Sequence, residues 1–271
     1  MAYKNKMDFH THTDNSPDAI HSVMLLCERA CQAGLRTLAI TDHCECDAYK
    51  RDGYALSVRQ SYFETTKARS VFSGQLIVLR GIELGQPLAD KEAAADALNR
   101  PLDFVLASQH NLSDGKDFYV LDYSLPENEP ESLLHQYFSE LTDIVGWGGF
   151  DSLAHLTYPL RYITGVNGIQ VDITKYYDQI DRLFRLMAAT GKALEINTSG
   201  LRQGLGCTMP DLALLKRFRA AGGEYVTIGS DAHNAADVGA GIEEGMALAA
   251  VAGFQYITLY QNRIPIQIPL I

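Results

Sequence analysis

An alternation limits what this chain can fold into. Short runs rich in Val, Ile and Leu give way to amphipathic helical patterns seven times between residues 7 and 252, the signature of parallel strands joined by crossover helices. The runs end near His10, Asp42, Glu83, His110, His155, Asn197 and Asp231, and the spacing predicts helices over 20–33, 57–72, 88–98, 130–145, 174–190, 210–222 and 241–252. Metal-ligating residue types follow nearly every run instead of clustering at one switch point. That predicts a closed barrel over an open sheet: a TIM-like, distorted (β/α)7 fold of the α/β class, with a metal site at the C-terminal face of its strands. The longest irregular stretches, 44–56, 111–130 and 157–173, are then the loops that shape a pocket. The last run, Tyr256 to Tyr260 followed by Ile264-Pro265-Ile266, reads as an extra strand or a packed tail without a function.

Length and charge narrow the class further. With 271 residues and 46% hydrophobic content the chain can bury a large core, and no linker or low-complexity tract interrupts it, so residues 1–271 read as one domain. The polar start, Met1 to Met7, has no apolar region behind it, and no window approaches the ~18 apolar residues of a membrane span. Five cysteines, with Cys27 and Cys31 one helical turn apart, suit reduced thiols and a cytoplasmic protein. The net charge of -10 argues against a nucleic-acid surface, which ordinarily carries a basic stripe. A small anionic substrate remains compatible with it.

The chemistry starts at Asp8-Phe9-His10-Thr11-His12-Thr13. In an extended strand His10 and His12 share a face, and two imidazoles on one face suit a divalent metal. Alone, such a pair is more often a solvated or core pair. Its recurrence as Asp231-x-His233, in Ser230-Asp231-Ala232-His233, favours the metal reading. Asp18 follows a Ser-Pro step and is either a ligand or a helix N-cap. Adjacent strand residues face opposite ways, so of Asp42-His43 we take His43 as the ligand and Asp42 as its support. Glu83, between Ile82 and Leu84, needs a partner, since an isolated buried carboxylate is costly, and it can bridge two metals. His110 and His155 close the fourth and fifth runs. In Ala193 to Asn197, Glu195 and Asn197 share a face, with Glu195 read as an ion-pair partner inside the barrel. His21 and His135 fall in helical patterns and read as structural. Cys44-x-Cys46 follows His43, but nitrogen and oxygen donors already suffice without it.

These motifs resemble the polymerase and histidinol phosphatase family of metal-dependent phosphoesterases over residues 7 to about 240. The stretches Gly81 to Gly85, Glu195 to Arg202 and Thr227 to His233 are most similar to its histidinol-phosphate phosphatase branch. The resemblance implies a seven-unit barrel with two to three divalent metal ions (zinc, manganese or iron). One ion would take His10, His12, Glu83 and Asp231, a second Asp18, His43 and His233, and a third Glu83, His110 and His155. Relatives often carry histidine at the position of Asp18, and the aspartate here keeps a hard donor. The implied reaction is hydrolysis of L-histidinol phosphate by attack of a metal-bridging hydroxide, with Asp231 and His233 at the reacting centre. Arg161, Arg202 and Asn197 would hold the substrate, the guanidinium forks matching phosphate oxygens. Asp42 or a bound water would protonate the leaving alkoxide. The alternatives are a phosphoesterase of the same family acting on nucleotides, nucleic-acid ends or phosphotyrosine, and a non-catalytic metal-binding module.

Overall fold

The structure, a computed structural model, describes residues 3–270. In chain order its elements are β1 (Met7–Asp8), α1 (Val23–Gln32), β2 (Thr37–Ile40), β3 (His43–Glu45), α2 (Tyr54–Val71), β4 (Ile77–Gly85), α3 (Lys91–Leu98), β5 (Phe104–Ser108) and α4 (Pro130–Trp147). There follow β6 (Ser152–Leu153), a short α5 (Tyr158–Leu160), α6 (Tyr177–Thr190), β7 (Ala193–Asn197), α7 (Leu212–Ala220), β8 (Val226–Gly229), α8 (Ile242–Val251), β9 (Tyr256–Gln261) and β10 (Ile264–Pro269). The helices start and stop on side-chain signals. Ser22 caps α1, Asp90 caps α3, Glu129 precedes Pro130 at the start of α4, and Asp211 caps α7, each cap worth about 1 kcal/mol.

Parallel pairing runs in the order β1-β2-β4-β5-β6-β7-β8. The ring closes where Phe9 N donates to Ile228 O at 2.9 Å and Thr11 bridges Ala232. Every residue of β2, β5, β7 and β8 is buried, as expected of strands covered by helices outside and packed side chains inside. The expected (β/α)7 barrel is therefore present, TIM-like in layout and distorted by its two-residue strands β1 and β6.

Three local expectations need correcting. Residues 44–56 are not all loop: β4 is nine residues long and outruns β2, and its second half pairs with β3. Helix α1 begins after Ser22, so His21 lies outside it, where its Nδ1 accepts the Ala235 N–H at 3.1 Å. The tail is an antiparallel β9–β10 hairpin. It is pinned to residues just before β5 and β6, at the end of the barrel away from the histidines. Arg263 Nε donates to both Asp151 oxygens at 3.1 Å, and Asn262 N to Asp103 Oδ1 at 3.3 Å. Tyr260 packs on Phe104 at 5.3 Å, and Phe104 on Phe9 at 5.0 Å, so the hairpin plugs that end.

Candidate metal centre

Register does most of the assembly. Parallel pairing sets His43 beside Glu83 and Glu45 beside Gly85. The extended stretch after β1 turns His10 and His12 the same way, with ring centroids 4.9 Å apart. The second i, i+2 pair arises differently. Asp231 has φ 54°, a left-handed conformation that Asp tolerates better than most residues, so a turn presents Asp231 and His233.

The side chains converge in three groups. His10 Nε2 lies 3.3 Å from Glu83 Oε2 and 3.7 Å from Asp231 Oδ1, and His12 Nε2 lies 3.6 and 3.5 Å from the same two atoms. Asp18 reaches His233 Nε2 at 3.1 Å and His43 Nε2 at 3.6 Å; the cap of α1 is Ser22, so Asp18 is free for this role. Glu83 Oε1 lies 2.9 Å from His155 Nε2 and 3.3 Å from His110 Nε2. Glu83 is thus common to the first and third groups, with one oxygen toward each.

Three observations fit these groups to divalent cations. The Nδ1 atoms are held by oxygens: His10 by Glu195 at 2.7 Å, His110 by Glu45 at 3.0 Å, His233 by the Asp231 carbonyl at 3.1 Å. That fixes the tautomer and leaves each Nε2 facing the cluster, as in ligating histidines. Secondly, His10 Nε2, His12 Nε2 and Glu83 Oε2 are buried with no hydrogen bond of good geometry among the described residues, a costly state unless another group satisfies them. Thirdly, the sets His10-His12-Glu83, His43-Glu83-His110 and His12-His43-His233 each bring their ligand atoms within 4.8 Å of one another.

The electrostatics show how tightly the groups couple. Burial opposes ionisation of Glu83, but His10, His110 and His43 outweigh it and hold the carboxyl well below its usual range. Asp231 is held down in the same way by His10 and Arg161. Burial, then His233 and His43, push His12 well below the ordinary imidazole value, keeping it in the neutral form that ligates metal.

Around the cluster lies a cavity of about 420 Å³, lined by Asp18, His43, Glu83, His110, His155, Asp231 and His233, and also by Arg161. Arg161 Nη2 donates to Ser199 Oγ and Asp231 Oδ2, both at 2.7 Å. Three expected site residues do not line this cavity. The Asp42 carboxylate accepts from Thr13, Ser16 and Ser61 and is 2% exposed, off the cavity wall; it ties the loop before α1 to α2. Arg202 donates to the Asp231 carbonyl at 2.9 Å and pairs with Asp237, while Asn197 donates to Glu195 at 3.2 Å and accepts from Ser199 Oγ at 2.6 Å. Both stand behind Asp231 rather than on the wall. Cys44 and Cys46 turn into the apolar core.

Glu45 is a site residue the sequence reading missed. It lines the cavity between His43 Nδ1, at 3.3 Å, and His110 Nδ1, at 3.0 Å, and these imidazoles overcome burial to bring its carboxyl down to about 2. The signal was present, because Glu45 stands two residues after His43, on the same face of one strand. Tyr54, Asp117, Tyr119, Tyr158 and Tyr162 also line the wall.

A parallel barrel with histidines and carboxylates converging at its C-terminal mouth is a metal-site barrel. Residues 8–199 match the family described as PHP domain, and the chain belongs to that family. Over 151 residues it is 34% identical to a protein named probable histidinol-phosphatase from Thermotoga maritima, covering 54% of this chain and 60% of that one, so the match spans less than two thirds of that relative. It is 27% identical to the histidinol-phosphatase of Lactococcus lactis subsp. lactis over 95% of both chains. The crystal structure of the histidinol phosphate phosphatase from Lactococcus lactis, complexed with zinc, L-histidinol and phosphate, superposes with a TM-score of 0.79 at 23% identity, covering 97% of this chain and 99% of that one. The fold is shared throughout.

Proposed function

We infer that this chain is a metal-dependent phosphomonoesterase that hydrolyses L-histidinol phosphate to L-histidinol and phosphate. The observation that carries the reaction class is the convergence of three histidine and carboxylate groups, two of them sharing Glu83, beside a partly buried arginine in one cavity. The substrate rests on the names of the relatives that match over almost the whole chain.

His10, His12, Glu83 and Asp231 would hold one ion, Asp18, His43 and His233 a second, and Glu83, His110 and His155 a third. Zinc, manganese or iron suits this mixture of nitrogen and oxygen donors. When bound, such ions supply a nucleophilic water near neutral pH and neutralise phosphoryl charge. The chain's own part is positioning. Arg161 is permanently charged: burial opposes its charge, but Asp231 raises its pKa further. Its Nη2 is anchored by Ser199 and Asp231, so the guanidinium is fixed where it can take phosphate oxygens. Glu195 holds His10 and also accepts the His155 backbone N–H at 2.7 Å, tying two of the groups to β7. Glu45 orients His43 and His110.

Phosphate release across a panel of phosphomonoesters tests the reading. L-histidinol phosphate should give the highest kcat/KM, by about tenfold or more over sugar phosphates, nucleotides and phosphotyrosine. Equal or faster turnover of any of those would overturn the substrate while leaving the phosphatase chemistry in place.

A further inference from the structure

One carboxylate on the cavity wall is uncommitted. Asp18, Glu45, Glu83 and Asp231 each lie against an imidazole, at 3.1, 3.0, 2.9 and 3.4 Å respectively. Asp117 is the fifth acid lining the cavity. Among the described residues it has no histidine, lysine or arginine within ion-pair distance. Its Oδ1 accepts the Tyr119 N–H at 2.8 Å, and its Oδ2 has no partner among those residues.

The loop that carries Asp117 is pinned from both sides. Asn111 and Asp117 form an antiparallel bridge, and the next residue, Phe118, is fully buried against Tyr137 at 5.6 Å and Tyr158 at 6.4 Å. From Arg161 an aromatic wall leads outward to this loop. The Arg161 guanidinium stands 5.3 Å from the Tyr158 ring, Tyr158 packs on Tyr162 at 5.2 Å, and Tyr162 on Tyr119 at 5.7 Å. Among the described residues, Arg161 is the one lysine or arginine on the cavity wall. A phosphomonoester with its phosphate at Arg161 and the histidine groups would lay its organic part along tyrosines, beside an unpaired carboxylate.

We propose that Asp117, with the Tyr162 and Tyr119 rings, selects phosphomonoesters whose organic part carries a positive charge, such as an ammonium or imidazolium. A carboxylate and π-faces both attract a cation, and both disfavour an acidic leaving group. This deepens the phosphatase reading and rests on it.

The test is a selectivity ratio, kcat/KM for L-histidinol phosphate over kcat/KM for p-nitrophenyl phosphate, in the wild type and in Asp117→Asn. Asparagine keeps the oxygen that accepts the Tyr119 N–H, so the change isolates charge. One charge-assisted contact is worth about tenfold. The ratio should fall about tenfold, mainly through a higher KM for the cationic substrate, and Asp117→Lys should lower it further. A ratio within twofold of wild type overturns the role of Asp117 while the substrate assignment stands. If the wild type ignores L-histidinol phosphate but prefers phosphoethanolamine to p-nitrophenyl phosphate, and Asp117→Asn loses that preference, the substrate assignment falls and the charge selection stands. No turnover of any phosphomonoester overturns both.

Discussion

At Glu45 a single carboxylate oxygen serves two imidazoles, 3.0 Å from His110 Nδ1 and 3.3 Å from His43 Nδ1. It orients ligands without being required as one, and partners of that kind typically affect metal affinity by 10- to 100-fold. Glu45→Gln should therefore weaken metal binding by about that factor, measured by competition with a chromophoric chelator, with the fold unchanged by circular dichroism. Arg161 is the other decisive residue. Lysine in its place keeps the charge but loses the fork that meets Ser199 and Asp231 together with a phosphate. Arg161→Lys should lower kcat/KM about 10- to 100-fold and weaken inhibition by inorganic phosphate in parallel. Unchanged phosphate inhibition would remove Arg161 from the substrate site.

Among the elements, β4 organises the mouth of the barrel, because its length lets it pair with β2, then β3, and along its far half with β5. Gly85 ends it opposite Glu45, and a Cβ there would collide with the Glu45 carboxylate. Gly85→Ala should push Glu45 off His43 and His110 and lower metal affinity much as Glu45→Gln does. The two changes combined should be less than additive, since they act on one contact. The alternation of apolar runs was enough to place the helices to within a few residues and to put the ligand-bearing strand ends at one face. The break between β2 and β3 was not legible, because it depends on how far β4 extends. With it went Glu45, although the His43-x-Glu45 spacing repeats the logic of His10-x-His12. Asp42, Arg202 and Asn197 were placed near the site correctly in sequence, yet Asp42 is taken up by Thr13, Ser16 and Ser61 and Asn197 by Glu195 and Ser199, while Arg202 bonds the Asp231 carbonyl and Asp237 and keeps its Nη1 without a partner among the described residues. Only three-dimensional hydrogen bonding shows that. The β9–β10 hairpin was readable as a strand, but its role as a plug depends on Asp103 and Asp151, far away in sequence.

Across the whole molecule the two ends of the barrel divide the work. The histidine end carries closely packed ionisable groups, and the plugged end is held by buried carboxylates paired with partly exposed arginines. Asp103 is fully buried, at 2.8 Å from Arg69 and 3.1 Å from Arg80. Burial raises its pKa, but Arg80 and Arg69 bring it below the usual carboxylate value. A carboxyl whose pKa is depressed by folding stabilises above its unfolded value near 3.9, and that stabilisation is lost as pH falls through the folded value. Asp103→Asn should therefore cost about 2–3 kcal/mol near pH 7, seen in Tm, and the gap from wild type should narrow below pH ~4. A gap that stays constant with pH would assign the loss to packing. That these imidazoles and carboxylates at the other end hold catalytic metal is tested most directly by titrating metal back into chelated protein while following phosphate release. Activity should vanish on chelation and return linearly with two to three equivalents of zinc, manganese or iron per chain before levelling off. Undiminished turnover in metal-free protein, or binding of those ions with no return of activity, would contradict it.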